Sequence, residues 1–94
     1  MSKEALKKRI ADRRLEVVKL RSQISKVREQ KSKKMKDISA RLKSTKLSSM
    51  KEVYRKQKIS ETARFDKEMN NIKKKIEGLQ KQIDSYKKDI SSLK

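Results

Sequence analysis

The sequence has no cysteine, histidine, tryptophan or proline, and a single glycine, among its 94 residues. Without cysteine it can form neither a disulfide scaffold nor a thiolate nucleophile, and without cysteine or histidine the ordinary zinc, haem and iron–sulfur sites are excluded. The lack of glycine and proline argues against the turns of β-hairpins, β-sandwiches and glycine-rich phosphate loops. Apolar runs never exceed two residues, which predicts neither a signal peptide nor a transmembrane segment.

What the sequence does have is charge, most of it positive. Charged residues make up 45% of the chain, and 30 Lys and Arg against 12 Asp and Glu give a net charge of +18. Low hydrophobicity combined with high charge is close to the composition of disordered chains. However, the abundant Lys, Arg, Glu, Gln, Leu and Met are good helix formers with no proline to interrupt them. The composition therefore predicts one all-α domain over residues 1–94.

The second half of the chain carries an unbroken heptad repeat. From Phe65 to Leu93 the apolar residues alternate at steps of four and three, which is the seam of a coiled coil. A second seam runs from Leu6 to Val27 in the first half. The predicted coiled-coil seam consists of Leu6, Ile10, Val17, Leu20, Ile24, Val27, Phe65, Met69, Ile72, Ile76, Leu79, Ile83, Tyr86, Ile90 and Leu93.

Beyond Val27 the first seam is expected to be poor. Ile38 rejoins its register, but the other seam positions are basic, and their long stems are expected to carry the charges outward into solvent. The ammonium group of Lys31 is expected to lie over the Phe65 ring. Val18, Ile59 and Ala63 lie beside the seams and are expected to widen them. The basic seam positions are Arg13, Lys31, Lys34 and Arg41.

A break between the two seams indicates a turn. The two heptad frames are out of phase, and the stretch between them, Lys43 to Ser48, is dense in poor helix formers. Ser49 and Glu52 have the spacing of a capping box that starts a helix. We therefore predict a turn near 44–49 between a first helix over about 3–44 and a second over about 50–93.

Folding at that turn predicts an antiparallel coiled-coil hairpin. Seam positions would then pair in order, for example Leu6 with Ile90 and Leu20 with Ile76. Two helices bury only a narrow apolar stripe. The free energy gained by that burial is small compared with the conformational entropy lost when the chain becomes ordered. We therefore expect the hairpin to dimerise into a four-helix bundle. The alternative architecture is a parallel rod dimer with a phase break in its middle.

The residues of the chain offer no catalytic machinery. General acid–base catalysis usually needs histidine or a desolvated carboxylate, and the carboxylates here are flanked by Lys or Arg in the sequence. The serines have no plausible base near them in sequence. We expect a protein that is not an enzyme and that uses no metal or cofactor.

Positive charge is densest around the predicted turn. From residue 26 to residue 58 the chain has 13 basic and three acidic side chains, a net charge of +10. Such density attracts polyanions, of which nucleic acid is the commonest. The predicted nucleic-acid-binding residues are Lys26, Arg28, Lys31, Lys33, Lys34, Lys36, Arg41, Lys43, Lys46, Lys51, Arg55, Lys56 and Lys58.

The expected contact is with the phosphate backbone and largely independent of base sequence. No zinc finger or helix-turn-helix spacing is present, and one Phe and two Tyr leave no aromatic platform for single-stranded bases. We expect a cytoplasmic or nucleic-acid-associated protein that forms homo-oligomers.

A second function class remains open. In it the hairpin is a helical adaptor, chaperone, or assembly or secretion accessory protein that binds a larger, acidic helical protein. Membrane binding is disfavoured, because helices that lie on bilayers have a broad apolar face with Trp, Phe and Leu. Gly78 falls at an exposed heptad position, where it costs about 1 kcal/mol relative to alanine, and the sequence suggests no function for it.

Overall fold

A computed structural model describes residues 1–93 of the chain and contains two long α-helices. Helix α1 spans Lys3–Ser44 and α2 spans Ser48–Ser92, so residues 45–47 form the connection. The helices pack against each other as a hairpin, and no strand occurs in the part of the chain described. The predicted all-α antiparallel hairpin with a turn near 44–49 is confirmed. No helix within residues 1–93 combines the length and apolar character needed to cross a membrane.

Helix α2 begins earlier than its predicted capping box. The Lys51 N–H donates to the Leu47 carbonyl at 3.0 Å, so Leu47 is at the N-cap position. The prediction that Ser49 caps the helix is therefore wrong. The two serines before Met50 are helical instead, and Glu52 pairs with Lys56 at 3.6 Å rather than reaching back to the helix start. The earlier start lets the Leu47 carbonyl accept a helical hydrogen bond, a partner that it would lack if the helix began at residue 50.

The buried core follows the predicted seam. Nine of its fifteen residues are buried and five are half-buried, whereas Leu93, just beyond the end of α2, is 46% exposed. All buried side chains of the described residues are apolar. The buried seam residues are Leu6, Ile10, Val17, Ile24, Val27, Phe65, Ile72, Ile76 and Ile83.

The seam of α1 continues past Val27 and widens. The predicted seam positions Lys31 and Lys34 are half-buried and Ile38 is buried, so they keep the heptad frame, while Met35, Ser39 and Leu42, each one residue further on, are half-buried as well. This shift by one residue is a stutter, and near the turn it moves the inward face from Arg41 to Leu42. Ile38, at 1% exposed, is the most deeply buried side chain of the core. Ile38 thus lies on the seam, at the position where it was expected to rejoin the register of the first half.

The inward face of α2 near the turn is mostly polar. Its covered residues from the turn onward are Lys51, Tyr54, Gln57, Glu61, Thr62, Phe65, Asp66 and Met69. Six of these eight side chains are polar or contain a hydroxyl group. Near the turn the covered side chains of α2 are therefore mostly polar, while α1 contributes Met35, Ile38 and Leu42.

Several residues expected on or beside the seam lie outside it. The Arg41 side chain is 58% exposed, because the stutter replaces it with Leu42 on the inward face. Val18 and Ile59 are 61% and 71% exposed, and Ala63 is also exposed. These side chains do not widen the core of the hairpin.

The chain divides into two compact units, each containing a part of both helices. The terminal unit consists of Met1–Gln23 and Asn71–Lys94, and the turn unit of Ile24–Asn70. In the terminal unit Arg13 Nε donates to Gln82 Oε1 at 2.8 Å. In the turn unit Lys31 Nζ lies 2.7 Å from Asp66 Oδ1. Each unit thus has its own polar link between α1 and α2.

Candidate nucleic-acid interface

The thirteen predicted binding residues all lie in the turn unit. Eight are on α1, Lys46 is in the connection and four are on α2. Ten are exposed, and the remaining three, Lys31, Lys34 and Lys51, are half-buried. The fold therefore keeps most of these charges accessible to a ligand.

Four of the thirteen cations pair with a carboxylate. Lys31 does so across the hairpin, and the other three use the three carboxylates of segment 26–58, each four residues away on the same helix. Exposed pairs at this spacing contribute only about 0.3–0.5 kcal/mol, so a phosphate can compete for these cations. The three pairs are Lys33–Glu29 at 3.3 Å, Arg41–Asp37 at 3.5 Å and Lys56–Glu52 at 3.6 Å.

The other nine cations have no ion pair within residues 1–93. Lys58 Nζ donates to Ser39 Oγ at 3.4 Å, which leaves its charge uncompensated. Since all three carboxylates of the segment are already engaged, these nine side chains form a group of unneutralised positive charge. The remaining eight are Lys26, Arg28, Lys34, Lys36, Lys43, Lys46, Lys51 and Arg55.

The excess charge belongs to segment 26–58 and not to the turn unit as a whole. The turn unit has 15 basic and 6 acidic residues, and so does the terminal unit, which gives each a net charge of +9. The reason is that the rest of the turn unit adds the carboxylates of Glu61, Asp66 and Glu68. The net charge of +10 predicted for residues 26–58 thus lies on the α1 part of the turn unit, the connection and the first turns of α2.

The contact expected between Lys31 and Phe65 is replaced by another. Lys31 forms the ion pair with Asp66, and the cation over the Phe65 ring is Arg64, whose guanidinium carbon lies 4.4 Å from the ring centroid. A full carboxylate charge attracts an ammonium group more strongly than a ring quadrupole does. The Arg64 guanidinium also contacts the Glu61 carboxylate at 2.8 Å. It is therefore held by both the carboxylate and the Phe65 ring.

Base-stacking and metal sites are not evident in the described part of the chain. Phe65 is buried, Tyr54 is half-buried, and the ring of Tyr86 has the Arg9 guanidinium 5.9 Å from its centroid. Among residues 1–93 no three His, Cys, Asp or Glu side chains are close enough to hold a metal ion. What the segment presents to a ligand is charge.

Sequence reasoning missed a groove between α1 and α2 in the terminal unit. Leu20, Gly78 and Leu79 line its apolar part, with Lys19 and Lys75 among its polar neighbours. A Cβ atom added at Gly78 would meet nothing within 4 Å. The signal for this groove was present in the sequence as the one glycine of the chain, placed beside a seam leucine.

Comparison with known proteins finds no matching protein family, no similar curated protein and no similar solved structure.

Proposed function

We propose that the protein binds the phosphate backbone of nucleic acid, without base specificity, through segment 26–58. The observation that carries this proposal is the group of nine basic side chains in that segment that have no ion pair within residues 1–93. A polyanion with condensed counterions gains entropy when such cations displace those counterions. Neutralising them also relieves the self-repulsion of a chain with a net charge of +18.

The residue types favour backbone contact over base recognition. Ten of the thirteen basic residues of the segment are lysines, which act as flexible point charges and lack the planar fork that reads guanine edges. Contacts to phosphate position a protein on a duplex but carry no sequence information. We therefore expect similar affinity for unrelated duplexes.

Two charge-matched variants test the proposal. The segment variant changes four exposed lysines of segment 26–58 to glutamine. The control variant changes four exposed lysines of the terminal unit in the same way, so each variant loses four positive charges. None of the eight side chains forms an ion pair within the described residues. The segment variant is Lys26→Gln, Lys36→Gln, Lys43→Gln and Lys46→Gln, and the control is Lys7→Gln, Lys74→Gln, Lys87→Gln and Lys88→Gln.

The measurement is the dissociation constant for two unrelated duplexes, by fluorescence anisotropy over a series of NaCl concentrations. Each neutralised phosphate contributes about 0.9 to the slope of log K against log salt. The segment variant should therefore lower the slope by about 3 to 4 and the control by less than about 1. Circular dichroism should show unchanged helicity in both. Equal losses in the two variants, or no binding by the unaltered protein at about 100 mM salt, would refute the proposal.

A further inference from the structure

The groove of the terminal unit contains a glycine that the hairpin itself does not explain. Gly78 lies within the 45-residue α2, where glycine is the least favourable residue after proline. Its φ is not positive, and a side chain at this position would have open space. Neither backbone conformation nor packing within residues 1–93 therefore requires glycine here. A missing side chain does allow another backbone to approach closely.

Two seam leucines beside Gly78 are only partly covered. Leu20 and Leu79 are half-buried, whereas Val17 and Ile76, neighbours on the same seam, are buried. The groove that exposes them has a volume of about 440 Å³. An additional helix packs at about 8–10 Å from its neighbours, and its apolar side chains would complete the coverage of these leucines.

The charges around the groove determine whether an acidic or a basic helix would be attracted to it. Lys19 and Lys75 line it and have no ion pair within the described residues, while Glu16 is 4.0 Å from Arg13. The terminal unit has a net charge of +9. A second copy of this chain would bring a like charge into contact, whereas an acidic helix would be attracted.

We propose that this groove binds an acidic amphipathic α-helix of a partner protein. The apolar residues of the partner helix pack on Leu20 and Leu79, and its backbone comes closest at Gly78. Its Asp or Glu side chains pair with Lys19 and Lys75. This is the helix-in-groove mode of recognition. It uses residues outside segment 26–58, so it does not depend on the proposed binding of nucleic acid.

The test fills the groove without disturbing the hairpin. Gly78→Leu places a side chain in the open space, and Gly78→Ala is the matched control that leaves most of that space free; both replace glycine by a better helix former. The probe is a labelled 21-residue peptide with Leu at heptad positions a and d, Glu at e and g, and Gln elsewhere. Binding is followed by fluorescence anisotropy, and thermal melting of each variant is recorded.

We expect Gly78→Leu to weaken peptide binding at least about ten-fold and Gly78→Ala to change it much less, with neither variant melting below the unaltered protein. A peptide with Ser in place of every Leu should bind the unaltered protein far more weakly. The Leu peptide should also bind far more weakly to a double variant of the protein, Lys19→Gln with Lys75→Gln. The segment variant, which tests nucleic-acid binding, should bind the peptide normally.

Three results would overturn the proposal. The first is equal peptide affinity of Gly78→Leu and the unaltered protein, and the second is equal affinity for the Leu and Ser peptides, which would indicate attraction by charge alone. The third is a homodimer, detected by light scattering, that Gly78→Leu converts to monomer. That outcome would assign the groove to a second copy.

Discussion

Replacing Ile38 with alanine removes three carbon atoms from the most deeply buried position of the core. Burial is worth about 0.8 kcal/mol per methylene group, so the lost transfer free energy is about 2.4 kcal/mol. A residual cavity adds to this cost, but the half-buried neighbours of Ile38 can close in and keep that addition small. We expect the free energy of unfolding to fall by about 2–3 kcal/mol.

Ile59→Ala is the matched control, because it makes the same chemical change in the same unit. Ile59 is 71% exposed and Ile38 is 1% exposed. The exposed position loses little burial and gains helix propensity, so the free energy of unfolding should change by less than about 0.5 kcal/mol. The two variants together isolate the effect of burial.

The assay is urea unfolding followed by circular dichroism at 222 nm. Urea is preferred to guanidinium chloride, because a salt would screen a net charge of +18 and shift the baseline of stability. The midpoints of unfolding should separate clearly while the slopes remain equal. Similar midpoints for the two variants would show that Ile38 is not the most deeply buried residue of a packed core, and would refute the reasoning.

Three further predictions follow from the pairing of the helices. Cysteines at the positions of Leu20 and Ile76 should cross-link within one chain on oxidation, and links formed only between chains would indicate a parallel or swapped arrangement. A double-mutant cycle with Lys31→Ala and Asp66→Ala should give a coupling of about 0.2–1 kcal/mol, because the pair is partly exposed, and a coupling near zero would contradict the contact. The predicted homodimer joins two chains of +18, so light scattering should show more association at about 500 mM than at about 50 mM NaCl; less association at the higher salt would contradict this reasoning.

The packing of α2 could be predicted from the sequence because its apolar residues keep one register. From Phe65 to Ile90 every seam residue is buried or half-buried. The position of the connection also followed from the phase break between the two heptad frames. Both features depend on spacing alone, which a sequence displays directly.

Extending one heptad frame along α1 places Lys31, Lys34 and Ile38 on the covered face but fails at Arg41, which is exposed while Leu42 is half-buried. An α-helix has 3.6 residues per turn, so a stripe kept in contact over many turns drifts unless a stutter corrects it. Lys31 takes an inward position because its long stem packs while its charge reaches Asp66. The spacing of Met35, Ile38 and Leu42 in the sequence also fits a heptad seam. It predicts the covered face correctly only if Leu42, and not Arg41, is taken as the seam residue.

For the candidate interface, the cations were evident from composition but their partners were not. The pairs at a spacing of four residues follow from helical geometry. The pair of Lys31 with Asp66 joins residues 35 positions apart, so it depends on the register of the two helices. The groove at Gly78 was missed for the same reason, since its other wall is Leu20 on α1.

The antiparallel pairing also bears on how the chain folds. Ser39 and Lys58 are 19 residues apart in sequence, whereas Arg13 and Gln82 are 69 apart. Closing the longer loop in an unfolded chain costs about 1 kcal/mol more, so contacts nearest the turn are the first that can form. The contacts nearest the turn include polar ones such as that of Lys58 with Ser39, the residue next to Ile38, while the apolar layers of the terminal unit close last. We therefore expect Ile38→Ala to slow refolding, and substitutions in the terminal unit to act mainly by speeding unfolding.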